Sequence, residues 1–301
     1  MKKEKVVALI LSTLLLISPM ISASLISDTW NKITGKATEG STSVSITVGN
    51  TAPAITFVQA ISAQDLVESN KKSVTFYFTA SDNDGYTNLD DATAKAYFQK
   101  SGQTTRSNTS CVAGVGSGNL KNYTCTIDMW FFDQAGVWTI NTTIEDINDA
   151  PAENSSTTFS INTLTAMTMS PSALTWPQVG PTSSDVGSNN DPTKINNTGN
   201  AENLHIEVKA LDLTGVTRTN EFIFANNFTV GVATEGCSGT AMVNNTFTTV
   251  GTSTLTRGNY TLNDGTAQEQ VFFCLKGLPT TISAQEYSSS GLGSWTVKVA
   301  A

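Results

Sequence analysis

Two short stretches of this chain have the residues to do oxygen-ligand chemistry. Ala80-Ser81-Asp82-Asn83-Asp84-Gly85 sets two carboxylates two apart ahead of a glycine, and Glu145-Asp146-Ile147-Asn148-Asp149-Ala150-Pro151 adds a second carboxylate-rich turn. A hard cation such as calcium takes about six to eight oxygen ligands at roughly 2.3–2.6 Å, which closely spaced Asp residues in a tight turn can supply. The first stretch is not an EF-hand, because Ala80 stands where the first ligand belongs. Two readings remain open for Asp82, Asp84, Asp146 and Asp149. They share a calcium ion, or they are solvated turn residues that bond their own backbone.

The four cysteines fall into two pairs, Cys111 with Cys125 and Cys237 with Cys274. An even split in an exported chain implies one disulfide per half. A redox or metal site would need CxxC spacing or extra imidazoles, and the chain has a single His. In the chain-entropy model such loops stabilise by about 3 and about 3.9 kcal/mol.

Other candidates have bland alternatives. Asn-x-Ser/Thr occurs at Asn108, Asn122, Asn141, Asn154, Asn196, Asn227, Asn244 and Asn259, but 31 Ser, 46 Thr and 25 Asn make about six such sites expected by chance. Asn141 and Asn227 read as outward strand positions where glycans would fit. His205 alternates with Leu204 and Ile206 as an exposed sheet residue. Nothing supplies the nucleophile and orienting group that a catalytic His needs. Asp90 and Asp91 are a carboxylate pair for a hydrolase, with no geometry to support it. Gly114, Gly116 and Gly118 lack GxxxxGK[ST] and a following helix, so they read as a hairpin loop. Trp176 and Trp295 would stack on sugar rings or sit in a core, and Trp295 shares a face with Val297 and Val299.

The elements that must position these residues are strands. Val74, Phe76 and Phe78 alternate with Thr75, Tyr77 and Thr79. Trp138, Ile140 and Ile144 alternate with Thr139, Asn141 and Thr143, and Phe159 and Ile161 follow. Leu204, Ile206, Val208 and Ala210 repeat the pattern, as do Phe228 with Val230 and Trp295 with Val297 and Val299. Period two marks strands with one buried face. Only Leu89 to Gln99 also suits a helix, and Ala94, Ala96 and Phe98 fit a strand as well. Ser170 to Pro192 holds four of the eight prolines, yet Leu174, Trp176 and Val179 suggest that it packs as the opening strand of a second domain. The expected fold is all-β, with two antiparallel β-sandwich domains.

Charge and address narrow the function. A net charge of -8, from 17 Lys and Arg against 25 Asp and Glu, leaves no basic patch for nucleic acid. Lys2, Lys3 and Lys5 precede the uncharged run Val6 to Ile17, and Ser22-Ala23-Ser24 follows as a small-residue cleavage site, a signal-peptide pattern. Residues 6–26 would touch a membrane only if that signal stayed uncleaved as an anchor helix. The predicted organisation is signal 1–24, a Ser/Thr-rich tether or short leading strand 25–52, and sandwiches at 53–162 and 163–301.

Thr51-Ala52-Pro53-Ala54-Ile55-Thr56, then Phe76 to Gly85, then Ala135 to Asp149 resemble the polycystic-kidney-disease (PKD) and cadherin-like immunoglobulin-type sandwiches of exported archaeal or bacterial surface proteins. Here Asp146-Ile147-Asn148-Asp149 runs directly into Ala150-Pro151, one Asn short of the cadherin calcium linker. The resemblance implies that the two carboxylate-rich turns lie at one end of the sandwich, where the four aspartates would meet. Ile195 to Ala201 followed by Leu204 to Leu211 is similar to the turn of CARDB-type adhesion-related sandwiches. These resemblances imply an extracellular or cell-surface protein with a structural or adhesive role, not an enzyme. It would be stapled by disulfides, with calcium as the one cofactor in view. Its partners would be other envelope proteins or surface glycans, and the alternative is a secreted carbohydrate-binding module.

Overall fold

A computed structural model describes residues 42–232, 237–257 and 267–301. The signal segment, most of the tether and Asn259 lie outside the described residues. Contacts divide the chain into two units, Met1–Gly49 and Asn50–Ala301. In the first, the described residues 42–49 form no strand. The described residues contain no helix long and apolar enough to cross a membrane. Their only helical turns are two short 3-10 segments, Tyr86–Asn88 and Ala225–Asn227. The protein is essentially all-β.

Eight strands build the first half of the larger unit: β1 (Ala54–Val58), β2 (Lys71–Ser81), β3 (Leu89–Gln99), β4 (Arg106–Asn108), β5 (Val112–Ala113), β6 (Leu120–Trp130), β7 (Gly136–Asp146) and β8 (Pro151–Ile161). They form two antiparallel sheets, ordered β1-β2-β6-β5 and β4-β3-β7-β8. The alternation read from the sequence sets their inner faces. Phe76 and Phe78 on β2, Tyr123 and Ile127 on β6, Phe98 on β3, Trp138 and Ile140 on β7 and Phe159 on β8 meet in one buried core. Their strand neighbours point outward and bond across the ladder. Thr75 meets Thr126 (2.9 Å), Thr79 donates to Asn122 (2.7 Å), and Ser73 and Lys71 share Asp128 (2.6 and 2.5 Å). Here the Ser, Thr and Asn excess lines the outer face of a sheet.

Leu89 to Gln99, which suited helix or strand equally, is strand β3. Its pairing with β7 is interrupted between Asp90 and Lys95, a bulge that returns Ala96 and Phe98 to the core face. Beyond β1 the chain crosses to β8. The backbone amide of Gln64 donates to Ser160 and that of Asn162 donates to Gln64, each at 2.9 Å, which makes a short parallel bridge.

The second half has its own core, centred on Ile195, Leu204, Ile206, Val208, Phe228 and Phe273. One sheet orders Thr240–Ala241, Phe228–Gly231, Gln268–Leu275, Thr193–Asn197 and Met167–Ser170, with Val186–Gly187 paired to Gln268–Leu275. A three-stranded sheet orders Phe247–Thr249, His205–Lys209 and Thr296–Ala300, and another groups Phe222–Ile223, Leu213–Gly215 and Tyr287–Ser288. The expected opening strand through Leu174, Trp176 and Val179 does not form, since no strand is assigned between Ser170 and Val186. Pro171, Pro177 and Pro181 lack the N–H that a ladder needs. The three apolar residues nevertheless pack against the second core.

Candidate functional site

The structure joins the two carboxylate-rich turns through asparagines. Asp82 and Asp146 are each 1% exposed. One oxygen of Asp82 accepts the backbone N–H of Asp84 (2.8 Å) and the other the amide of Asn88 (3.0 Å). One oxygen of Asp146 accepts the N–H groups of Asn148 and Ala150 (2.8 and 2.9 Å), and the other the amide of Asn50 (2.7 Å). Asn88 donates also to Asn50 (3.3 Å), which closes a chain Asp82–Asn88–Asn50–Asp146. Asp84 accepts the N–H of Thr51 at 2.8 Å. The Asn50 amide, followed by the Ala150 and Asn148 amides, holds the Asp146 carboxyl below its usual range against the effect of burial. Asp149 is exposed with a left-handed backbone (φ 63°), a conformation Asp tolerates.

No three of these four carboxylates converge closely enough to share one ion. Among the described residues the only such trio of His, Cys, Asp or Glu is Asp185, Cys237 and Cys274, whose two sulfurs are bonded to each other. What the rim visibly does is hold the incoming chain at Asn50 and Thr51. The sequence marked the aspartates, whereas the asparagines that link them give no local signal.

Both disulfides form as paired from the sequence. Cys111 joins Cys125 on β6 with Cα atoms 4.5 Å apart, and Cys237 joins Cys274 in the strand Gln268–Leu275 at 4.9 Å. Each half thus has one covalent staple, and the first lies within its core. Asp90 caps its own bulge by accepting the N–H of Ala92 (3.0 Å). Asp91 accepts from Lys121 (2.7 Å) and from the buried Tyr123 hydroxyl (2.8 Å), so it anchors a core side chain. His205 lies 3.4 Å from Glu207, which is paired to Lys298 at 2.6 Å.

The turn Asn197-Thr198-Gly199-Asn200 makes a polar joint between the two cores. Asn197 folds the turn by accepting the N–H of Gly199 (2.9 Å) and donating to the carbonyls of Ala201 and Thr256 (both 2.8 Å). Gly199 is required here, because a Cβ would run into the carbonyl of Leu164. The turn then grips the first half. Thr198 donates to Glu68 (2.7 Å), and Asn200, 2% exposed, donates to the carbonyls of Asp133 and Asn162 (both 3.0 Å) and accepts the N–H of Leu164 (2.6 Å). Asp133 is itself fixed by a two-pronged ion pair with Arg106 (2.5–3.0 Å) and by the N–H of Trp130 (2.7 Å). Such fork-to-fork pairs are geometrically demanding. The Asn-rich run was visible in the sequence as a turn, but its partners were not.

A cavity of about 950 Å³ lies in the second half under the proline-rich segment. Its wall includes Leu174, Trp176, Phe228, Tyr287, Trp295 and Val297. Trp176 and Trp295 pack on Phe228 with ring centroids 5.1 and 5.3 Å away. Their indole N–H groups donate to the carbonyls of Val186 (3.2 Å) and Leu211 (2.8 Å), so both have the contacts of core residues. Beside the cavity, Glu221 accepts from the Ser283 hydroxyl (2.7 Å), the Tyr287 hydroxyl (2.7 Å) and the Ser283 amide (2.9 Å), which draw its carboxyl down to about 2. Asp191 is the opposite case. Burial pushes its carboxyl up to about 6, although the N–H of Phe273 donates to it at 2.9 Å. Its other oxygen has no hydrogen-bond partner among the described residues.

Of the glycan acceptors, Asn122 and Asn244 are exposed, whereas Asn108, Asn141, Asn154, Asn196 and Asn227 are half-buried. Asn141 donates to Glu153 (2.7 Å), and Asn227 lies in the 3-10 turn before its strand and not on the strand itself. No known protein-family model and no curated protein matches the chain.

Proposed function

We propose that this chain is an exported structural or adhesive component of the cell envelope. It would present two immunoglobulin-like β-sandwiches, the first PKD- or cadherin-like and the second CARDB-like, to neighbouring envelope proteins. The observation that carries the proposal is the placement of one disulfide in each half of the larger unit. Disulfides persist in oxidising compartments, and one staple per half suits modules that must keep their shape outside the cell. The polar joint supports the same reading, because it fixes one core against the other through hydrogen bonds of Thr198 and Asn200 to Glu68, Asp133 and Asn162.

Every oxygen of Asp82 and Asp146 already accepts a hydrogen bond from within the protein, so the asparagine bridge is the favoured account of that end. The carbohydrate-binding alternative relies on exposed stacking surfaces, and both tryptophans are engaged in packing. Fractionation tests the proposal. The protein should remain with washed cells and show no saturable retention on soluble polysaccharide. Recovery solely from the medium, or specific elution from a polysaccharide column, would overturn it.

A further inference from the structure

The segment just before the first sheet pair has the pattern of a strand but no sheet. Thr42-Ser43-Val44-Ser45-Ile46 repeats the pattern of Thr157-Thr158-Phe159-Ser160-Ile161, the end of β8. In β8 the apolar residues are covered, Phe159 at 4% and Ile161 at 2% exposure. In the first segment Val44 and Ile46 are 81% and 82% exposed, and Val48 continues the alternation just as exposed. Three β-branched residues at period two have no structural use as a solvated coil.

The second core has a complementary defect. In the first half the inward positions of β2, β6 and β7 are closed to solvent. In the second, the terminal strand Thr296–Ala300 is an edge among the described residues, where it pairs with His205–Lys209 alone. Its inward-facing Val297 and Val299, and Trp295 before it, remain half-exposed although they pack on the core. The other sheet ends nearby in the edge strand Met167–Ser170, and the cavity opens between them, with Met169, Trp295 and Val297 in its wall. An open edge beside an apolar groove that the proline-rich segment roofs only in part, leaving Trp295 and Val297 half-exposed, is an arrangement to which an extended segment adds as a further strand, with backbone bonds to the edge and alternate side chains toward the groove.

We infer that residues 43–48 of one molecule add as a strand beside Thr296–Ala300 of a second copy, with Val44, Ile46 and Val48 covering Trp295 and Val297. A molecule cannot serve itself. Its segment enters at Asn50 on the Asp82–Asp146 rim, the opposite end of eleven-residue strands about 35 Å long from Asn162 and the joint. Val44 is six residues before Asn50, a reach of about 20 Å at most. Donation is therefore head to tail, a contact that repeats without closing on itself. It rests on the envelope proposal for its setting and gives that proposal a partner.

Sedimentation of the full exported chain over a concentration series tests this. The wild type should form chains that lengthen with concentration. Ile46→Asp, a change outside both cores, should weaken association at least about tenfold, since it puts a charge on an apolar wall. A synthetic peptide of residues 42–50 added to the Ile46→Asp protein should slow amide exchange at Thr296–Ala300 at least about tenfold, as a newly paired edge does. A wild type that stays monomeric, association indifferent to Ile46→Asp, or an edge that the peptide leaves unprotected would each overturn the inference. A monomer that remains on washed cells removes strand donation alone, and chains formed by a protein found only in the medium remove the envelope proposal alone.

Discussion

Asn200→Ala would strike the joint directly. The side chain gives two N–H donors to the carbonyls of Asp133 and Asn162 and takes the N–H of Leu164, all in a nearly solvent-free turn. Truncation leaves two carbonyls and one amide without a partner, at about 1–3 kcal/mol for each group left unsatisfied. Partial relaxation of the turn places the expected loss at about 3–4 kcal/mol. At roughly 2–4 °C per kcal/mol for a unit of this size, the midpoint should fall by about 10 °C. The shape of the transition is more telling than its position. With the joint loosened, the Thr198 hydroxyl on Glu68, the Ser69 amide on the Thr198 carbonyl and the backbone amides of positions 200 and 201 on the Leu164 carbonyl are what remain to hold the turn. Calorimetry should then resolve two transitions where the wild type shows one. Asn200→Asp should be at least as damaging, because it keeps the acceptor for Leu164 but turns a carboxylate oxygen toward two carbonyls. A single transition shifted by less than about 2 °C in Asn200→Ala would refute the reasoning.

Chelation should leave the melting midpoint of the wild type unchanged, and a calcium-dependent rise would reinstate an ion at the rim. Replacing Cys111 and Cys125 together by Ala should cost about 3 kcal/mol in urea unfolding, and replacing Cys237 and Cys274 about 3.9 kcal/mol, with the native signal retained below the transition. Asp191 carries a folded-state carboxyl near 6 against about 3.9 for an unfolded Asp, so the folded chain holds the extra proton between those values. Stability should therefore decline as pH rises from about 4 to about 6, and in denaturant titrations Asp191→Asn should remove that slope.

The sequence was most informative where a feature repeats over short range. Alternation at Val74, Phe76 and Phe78 or at Leu204, Ile206 and Val208 reports a buried face directly, and the cysteine pairs required only an oxidising address. Leu89–Gln99 stayed ambiguous because Ala, Lys, Gln and Leu are good helix formers, and the three inward residues cover too few turns to decide. What decides it is the ladder with β7, which is tertiary. Trp176 and its neighbours misled for a related reason: apolar residues among prolines can pack without pairing. The rim aspartates were readable as turn residues, but Asn50 reaches Asp146 across 96 positions of sequence. Asn200 likewise finds its partners 38 and 67 positions away. No window of local pattern contains such pairs.

The parallel bridge between Gln64 and β8 bears on how the protein takes a load. Gln64 follows the strand through which the chain arrives, and Ser160 and Asn162 lie where it leaves. Pulling on the two ends of the first half would draw these neighbouring parallel segments in opposite directions. The two 2.9 Å bonds would then be sheared together, where an antiparallel hairpin would unzip one bond at a time. Tension along the chain would meet its resistance first in the pairing of β1 with β2 and then at that small patch, ahead of the long ladders of β2, β6 and β7.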